Sequence, residues 1–170
     1  FEDFEIEATA FLAGDREERA FIGFRLKQGT YGQRQPNRQM IRVKNPAGLV
    51  NSEQLEAYAD IAEQWTPLGK GHITTRAALQ FHHIPLARVP SMMRRLGDAG
   101  LSSREACGNT VRNVTADPWA GVRDDEPFDI TPYAGAFVRY WVRNEISQLL
   151  PRKFKATFSA SEQDDGLAKI

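Results

Sequence analysis

Cysteine is almost missing from this sequence of 170 residues, in which Cys107 is the only one. A single cysteine excludes an intrachain disulfide and any metal site built only from cysteines of this chain. Histidine is nearly as scarce, and no HExxH or HxH spacing joins His72, His82 and His83. We therefore expect no zinc site made by this chain alone, and a reducing, cytoplasmic setting fits the composition best.

Long apolar runs and the common nucleotide motifs are missing as well. Arginine or lysine interrupts nearly every apolar stretch, so the sequence predicts no membrane span. No GxxxxGK[ST] or GxGxxG frame occurs, which argues against a phosphate loop or a Rossmann site. No motif ties Cys107 to a histidine, and we expect it to be a small buried side chain. The sequence starts at Phe1 without a signal-peptide pattern, so we expect it to be a piece of a longer product.

Acidic residues are missing from two long stretches of an otherwise neutral chain. Residues 19–52 contain seven cations and no acid, residues 64–97 contain five cations and no acid, and seven acids fall within residues 1–18. This asymmetry indicates a basic surface that holds an anionic partner. The overall pI of about 7.0 argues against general nucleic-acid binding.

The first hundred residues predict an α+β fold of the ferredoxin-like, split βαβ type. The segments, in chain order, are a strand at 37–46, a helix at 51–65, two short strands within 71–84 and a helix at 89–100. Asn51 caps the first helix with Gln54 three residues later, and Gly100 ends the second. We expect a final strand near 110–114 to complete the sheet.

Apolar periodicity predicts which helix faces are buried. The first helix should bury Leu55, Tyr58, Ala62 and Trp65. The second should bury Met92, Met93 and Leu96.

A second α/β unit is predicted to begin after the loop at 115–127. Thr131 and Pro132 open a helix that we expect to reach about Leu150, with apolar positions at Tyr133, Phe137, Tyr140 and Trp141. The domains expected are an acidic helical lead at 1–24, a ferredoxin-like half-domain at 25–100 and the truncated start of a second domain at 101–170.

Within the stretch "LLPRKFKATF" at 149–158, residues 153–158 are predicted to form a strand with two lysines on one face. Period-2 alternation puts Phe154, Ala156 and Phe158 on the opposite face. Lys153 and Lys155 then stand roughly 7 Å apart and repel each other, which raises the question of what lies opposite them.

Cations recur on separate segments of the predicted fold. Besides the lysine pair these are Arg42 with Lys44, two residues apart on the first strand, and Arg76 and Arg112. Each alone is typical of a solvated surface. Taken together they make a convergent polyanion site a competitive interpretation, because buried like charges require a counter-anion.

Four ordered motifs then identify a family. The segments "RQMIRVKNPAG", "GHITTRAALQFHHI", "CGNTVRNV" and "LPRKFK" resemble the first half of sirohaem-containing nitrite and sulfite reductases. The likeness covers about Phe24 to Thr157. It implies a ferredoxin-like half-domain followed by the beginning of an α/β domain that binds sirohaem and a 4Fe-4S cluster. The later half of such enzymes carries the cluster cysteines, so this chain alone is expected to be inactive.

The resemblance also implies roles for individual residues. Arg42, Arg112, Lys153 and Lys155 would surround the distal face of sirohaem and grip the anionic substrate. A second group would hold the macrocycle and its carboxylates: Thr74, Arg76, Gln80, His82 and Lys44.

Substrate and partners follow from the same resemblance. Nitrite-type members usually have Asn at the position of Lys155 and Arg at that of His82, so this sequence favours sulfite. Asn45, Pro46 and Ala47 replace a frequent Pro-Gly-Gly, and His72 replaces an arginine of some members. The expected partners are sulfite or nitrite, a ferredoxin or flavoprotein donor and the remaining C-terminal half, with no nucleic acid and no membrane.

Three other functions stay open from the sequence. The first is a nitrite reductase of the same family, and the second is a cobalamin-pathway relative that acts on a corrinoid precursor. The third is a non-catalytic ferredoxin-like binding module whose basic stripe holds RNA or a protein. Tyr31 and the neighbouring Gln33, Arg34 and Gln35 supply some material for RNA, but no RNP-like aromatic pair is visible.

Overall fold

The structure is a computed structural model that describes residues 1–148 and 150–169. The α-helices in this part are α1 Glu2–Ala13, α2 Glu18–Lys27, α3 Ser52–Trp65, α4 Val89–Asp98 and α5 Thr131–Trp141. The strands are β1 Thr30–Gly32, β2 Arg38–Val43, β3 His72–Ile73, β4 Leu79–Pro85, β5 Thr115–Ala116 and β6 Thr157–Phe158. None of the described helices combines the length and apolar character that a membrane crossing requires.

An antiparallel four-stranded sheet organises the first hundred residues. Its strand order is β1-β2-β4-β3, and α3 and α4 follow β2 and β4 along the chain. The predicted α+β, ferredoxin-like architecture is confirmed. The caps are confirmed too: Asn51 and Gln54 form a reciprocal capping box, and Gly100 adopts a φ of 69° just after α4.

The central strands separate an apolar face from a polar face by period-2 alternation. Ile41 and Val43 of β2 and Phe81 of β4 are fully buried in the core with residues of the surrounding helices. The intervening residues point the other way, and Arg42 stands directly opposite Gln80 in the ladder. The core therefore fixes which cations reach the far side of the sheet.

The predicted closing strand at 110–114 is wrong. The sheet edge beside β2 is occupied by β1. A short turn at residues 33–37 joins the two strands, so their pairing costs little loop-closure entropy. Residues 110–114 lie elsewhere: Val111 forms a parallel bridge with Phe154, and β5 then pairs in parallel with β6.

The second unit is less helical and less stranded than predicted. Helix α5 ends at Trp141 rather than near Leu150, and Arg143 follows with a φ of 64°. The predicted strand at 153–158 is reduced to the bridge at Phe154 and the two residues of β6. Leu149 and Ile170, which the predicted helix and the predicted domain include, lie outside the described residues.

The predicted helix faces are confirmed only in part. Met92, Met93 and Leu96 of α4 are buried as expected. In α3 the buried residues are Ala57, Tyr58 and Ile61, whereas Leu55 is exposed. In α5 the buried residue is Ala134, and both Tyr133 and Tyr140 are exposed. Phe137 and Trp141 are half-buried, and Phe137 packs edge-to-face on Phe158, so the predicted aromatic face of α5 is confirmed for these two residues only.

Candidate functional site

A cavity of about 430 Å³ opens between the polar face of the sheet, the segment 106–113 and the segment 153–155 with its two lysines. It is lined by Tyr31, Met40, Arg42, Thr74, Thr75, Arg76, Ala78, Ala106, Cys107, Gly108, Arg112, Asn113, Lys153 and Lys155. Five of these residues carry a positive charge and none is acidic. A volume of this size is in the range of small-molecule and cofactor pockets.

The five cations of the cavity come from separate parts of the chain. They are Arg42 of β2, Arg76 of the β3–β4 turn, Arg112, Lys153 and Lys155. Within residues 1–148 and 150–169 none of them forms an ion pair with a carboxylate, although other arginines of the chain do. Concentrated positive charge without protein counter-charges is the electrostatic pattern of an anion site.

One backbone segment orients two of these arginines. The carbonyl oxygen of Ala106 accepts a hydrogen bond from Arg42 Nη1 at 3.2 Å and one from Arg112 Nη1 at 2.9 Å. Arg112 Nε also donates to the Gly108 carbonyl at 3.0 Å. Thr110 braces the segment by donating to the carbonyls of Glu105 and Cys107. Burial lowers the pKa of Arg112, while that guanidinium stays charged near neutral pH.

The β3–β4 turn holds Arg76 at the cavity. The Thr74 hydroxyl accepts from the backbone N–H groups of Arg76 and Ala78, which closes the turn. Asn113 donates to the Arg76 carbonyl at 3.0 Å, and Arg76 Nη2 donates to the Ala156 carbonyl at 2.9 Å. These contacts tie the turn to the β5–β6 unit and fix the direction of the guanidinium.

Lys153 and Lys155 form the exposed wall of the cavity. Both side chains are exposed, and both flank the bridge residue Phe154, whose backbone N–H donates to the Thr110 carbonyl at 3.1 Å. Arg112 donates its own N–H to the Phe154 carbonyl at 2.9 Å. The two ammonium groups therefore share a cavity with three arginines, which sharpens the question of their counter-charge.

Gln80, His82 and Lys44 are not among the lining residues. Gln80 contacts the cavity residue Arg42, and His82 contacts Gln80. Neither Gln80 nor His82 reaches the cavity itself. Lys44 is buried and its Nζ donates to the Val111 carbonyl at 3.0 Å. Burial lowers the pKa of Lys44 to about 8, although the carboxylate of Glu105 opposes this shift.

The two adjacent histidines are packed to a similar degree, since both His82 and His83 are half-buried. Their ring centroids are 6.3 Å apart, and His72 lies at the same distance from His82. Among the described residues no group of side chains has the arrangement of a metal site.

Sequence reasoning missed several residues of the cavity. Tyr31 and Asn113 line it, and neither belongs to a periodic pattern that would place it there. Cys107 is buried as expected, but it also lines the cavity; burial raises the pKa of its thiol, while Arg42 and Arg112 act in the opposite direction. The usable signal was proximity in sequence, since Cys107 and Asn113 flank Arg112 in "CGNTVRNV".

Two family models match the chain along most of its length. Residues 31–99 match the nitrite/sulfite reductase ferredoxin-like half domain. Residues 107–170 match the nitrite and sulphite reductase 4Fe-4S domain. The cavity lies where these two matched segments meet, because β2 and the β3–β4 turn belong to the first and Arg112 and both lysines to the second.

Curated relatives carry reductase names of both kinds. A ferredoxin–nitrite reductase of Synechococcus elongatus is 35% identical over 162 residues, which are 92% of this chain and 31% of that protein. A sulfite reductase [ferredoxin] of Mycobacterium tuberculosis is 33% identical over 120 residues, 71% of this chain and 21% of that protein. The chain thus spans between a fifth and a third of the length of these relatives.

A solved structure shares the fold. The Mycobacterium tuberculosis NirA protein superposes with a TM-score of 0.79 at 27% identity, over 86% of this chain and 30% of that one. The resemblance seen in the four sequence motifs is confirmed by these matches. The chain belongs to the nitrite and sulfite reductase family.

Proposed function

We propose that this chain supplies the anion-binding half of a sulfite reductase active site, in which the five-cation cavity faces sirohaem and the substrate. The observation that carries the proposal is the convergence of Arg42, Arg76, Arg112, Lys153 and Lys155 on one cavity without a lining carboxylate. The reductase names of the relatives and the 4Fe-4S description of the second matched segment support it. The domains we propose are a lead at 1–24, the half-domain at 25–100 and the start of the sirohaem/4Fe-4S domain at 101–170.

The residues present fit a polycarboxylate macrocycle but not an iron–sulfur cluster. Arginines and lysines pair with carboxylates through charge-assisted hydrogen bonds, and the cavity offers five such side chains. Arg76 and Thr74 would hold the macrocycle at the turn, with Lys44, Gln80 and His82 behind them. One cysteine does not supply the ligand set of a 4Fe-4S cluster, so its ligands would come from outside this chain.

The catalytic residues we propose are Arg42, Arg112, Lys153 and Lys155. Sirohaem, when bound, would pass electrons from the external donor to the oxyanion. The four side chains bind the substrate, neutralise its charge and stabilise the negative charge that accumulates on its oxygens. Lys153 and Lys155 carry transferable protons, and the reduction of sulfite to sulfide consumes six electrons and releases three water molecules, so proton delivery is required throughout.

Sulfite is the substrate we favour over nitrite. Sulfite as a dianion gains more from each added cation than monoanionic nitrite does, and Lys155 adds one where nitrite-type members usually have Asn. Reduction of nitrite to ammonia by the same cavity is the second candidate, since relatives of both names match this chain. We place the protein in the reducing cytoplasm, with ferredoxin or a flavoprotein as donor, as the ferredoxin in the relatives' names suggests.

The test is product analysis with the full-length protein that carries this chain. With a reduced dye as donor, sulfide formation from sulfite should exceed ammonia formation from nitrite at equal substrate concentration. Lys155→Asn should lose more sulfite than nitrite turnover, whereas the exposed Lys70→Asn should change neither. Ammonia as the dominant product would make nitrite the substrate, and no product from either anion would refute the proposal.

A further inference from the structure

A chain of hydrogen bonds connects the five-cation cavity to a histidine outside it. Arginine only donates, so the atom of Gln80 that lies 2.8 Å from Arg42 Nε is the amide oxygen, which accepts from Nη2 as well. The Gln80 amide nitrogen then faces Nε2 of His82 at 3.3 Å. The order along the chain is cavity, Arg42, Gln80, His82.

This order assigns the protonation of His82. An amide nitrogen donates, so Nε2 of His82 must accept, and the proton of the neutral ring sits on Nδ1. Burial lowers the pKa of His82, and His83, His72 and Arg42 act in the same direction. These three groups lie on β4, β3 and β2 respectively. The neutral form is therefore the one that the folded protein favours at neutral pH.

We propose that Gln80 and His82 are positioning residues for Arg42, and that protonation of His82 releases the Arg42 guanidinium. Protonated His82 carries a proton on Nε2 and needs an acceptor, so the Gln80 amide must turn its oxygen towards the ring. Its NH₂ group then faces the guanidinium, donor against donor, and Arg42 keeps only the Ala106 carbonyl. The inference rests on the proposed function, in which Arg42 contacts the anion.

We call the hydrogen-bonded series His82, Gln80 and Arg42 the relay. The direction in which anion affinity changes with pH distinguishes the relay from simple electrostatics. A histidine that acted only as a nearby charge would tighten anion binding when it gained a proton. The relay predicts the opposite, because a cation that loses its orientation makes poorer charge-assisted hydrogen bonds to the anion. Weaker binding at lower pH is thus the signature of the relay.

Binding calorimetry on the full-length protein measures this direction. Nitrite is the suitable probe because it stays a monoanion from about pH 5 to about pH 8, the window in which histidine titrates. We expect the wild-type dissociation constant to rise roughly tenfold as the pH falls through the pKa of His82. His82→Gln presents a carbonyl oxygen to Gln80 at every pH, so its dissociation constant should not change with pH across this window.

The matched control is His72→Gln, which removes a neighbouring titratable ring but not the contact with Gln80. It should keep the pH-dependent loss of affinity, with a midpoint shifted to higher pH because one adjacent positive charge is removed. A His82→Gln protein that retains the wild-type profile would overturn the relay. So would a wild-type protein whose affinity increases as the pH falls.

The histidine tautomer supplies a second readout that needs neither substrate nor turnover. Long-range nitrogen–proton NMR correlation of histidine-labelled full-length protein, assigned with His82→Gln, should show the Nδ1–H form of His82 at neutral pH. An Nε2–H form would contradict the relay. If nitrite and sulfite bind to neither wild type nor variants, the proposed function fails, and the tautomer then decides the relay by itself.

Discussion

Arg42 and Arg112 share one hydrogen-bond acceptor, the carbonyl oxygen of Ala106, although 69 residues separate them in the chain. One arginine comes from the central strand β2 and the other from the segment after the half-domain. Their common acceptor holds two guanidinium groups at one carbonyl despite the repulsion between them. The cavity is thus organised by backbone geometry rather than by counter-charges.

Coupling between the two arginines follows from this shared acceptor. Arg42→Met and Arg112→Met should each raise KM for the anion about tenfold to hundredfold, because each removes charge-assisted contacts worth about 1.5–3 kcal/mol. The double variant should exceed the product of the two effects, since each single change relieves the repulsion between the two cations and leaves the Ala106 carbonyl to the remaining arginine. Steady-state kinetics on the full-length protein gives all three values.

The exposed Arg88, which lies outside the cavity, provides the control for these variants. Arg88→Met should leave KM unchanged. Strictly additive effects of the Arg42 and Arg112 variants would show that the two side chains act independently, against the shared-acceptor account.

Lys155 is expected to discriminate between substrates. Lys155→Asn should lower kcat/KM for sulfite roughly tenfold and for nitrite only about threefold, because the more highly charged anion loses more when a cation is removed. Competition between the two anions in one reaction mixture measures the ratio directly. An equal loss of kcat/KM for both substrates would show that Lys155 does not discriminate between them.

Much of the half-domain could be predicted because local signals and tertiary packing agree there. The Asn51 capping box and the glycine stop at Gly100 are readable from a few adjacent residues. Successive side chains of β2 point to opposite faces of the sheet, so the buried Ile41 determines that its neighbour Arg42 points the other way. The convergence of cations was likewise accessible from charge patterning.

The rest depended on contacts between distant segments. The edge position beside β2 was open to two candidate strands, and the choice of Thr30–Gly32 is decided by a short turn rather than by composition. The early end of α5 and the exposure of Tyr133 and Tyr140 do not follow from apolar periodicity. Gln80 behind Arg42 also became visible only when the ladder register was known.

Lys44 should make the stability of the protein depend on pH in the alkaline range. Its pKa is about 8 in the folded chain and 10.5 in the unfolded reference, so between these values the unfolded chain binds a proton that the folded chain does not. Stability therefore rises with pH across this window, by up to about 3 kcal/mol. Urea unfolding at several pH values measures the slope.

Lys44→Met is the variant that isolates this contribution. It should lose the rise between pH 8 and 10.5 that wild type shows at this site. A wild-type slope that persists unchanged in Lys44→Met would assign the pH dependence to another group.

Ala47 occupies a backbone conformation that favours glycine. Its φ of 57° lies in the left-handed region, within the 3-10 turn that follows β2. Ala47→Gly should raise the free energy of unfolding by about 1 kcal/mol, because the left-handed conformation costs a Cβ-bearing residue about that much. The exposed helical Ala59→Gly is the opposite control and should cost about 1 kcal/mol. A lower free energy of unfolding in both variants would contradict strain at Ala47 and would show that the turn changes conformation around glycine.

The most direct measurement is the visible absorption spectrum of the full-length protein, recorded with and without sulfite. We expect a sirohaem spectrum that shifts when sulfite is added, and a shift that needs much higher sulfite in Arg112→Met than in Arg88→Met. A colourless protein, or a haem spectrum whose response to sulfite is the same in both variants, would contradict the assignment of the five-cation cavity to the substrate.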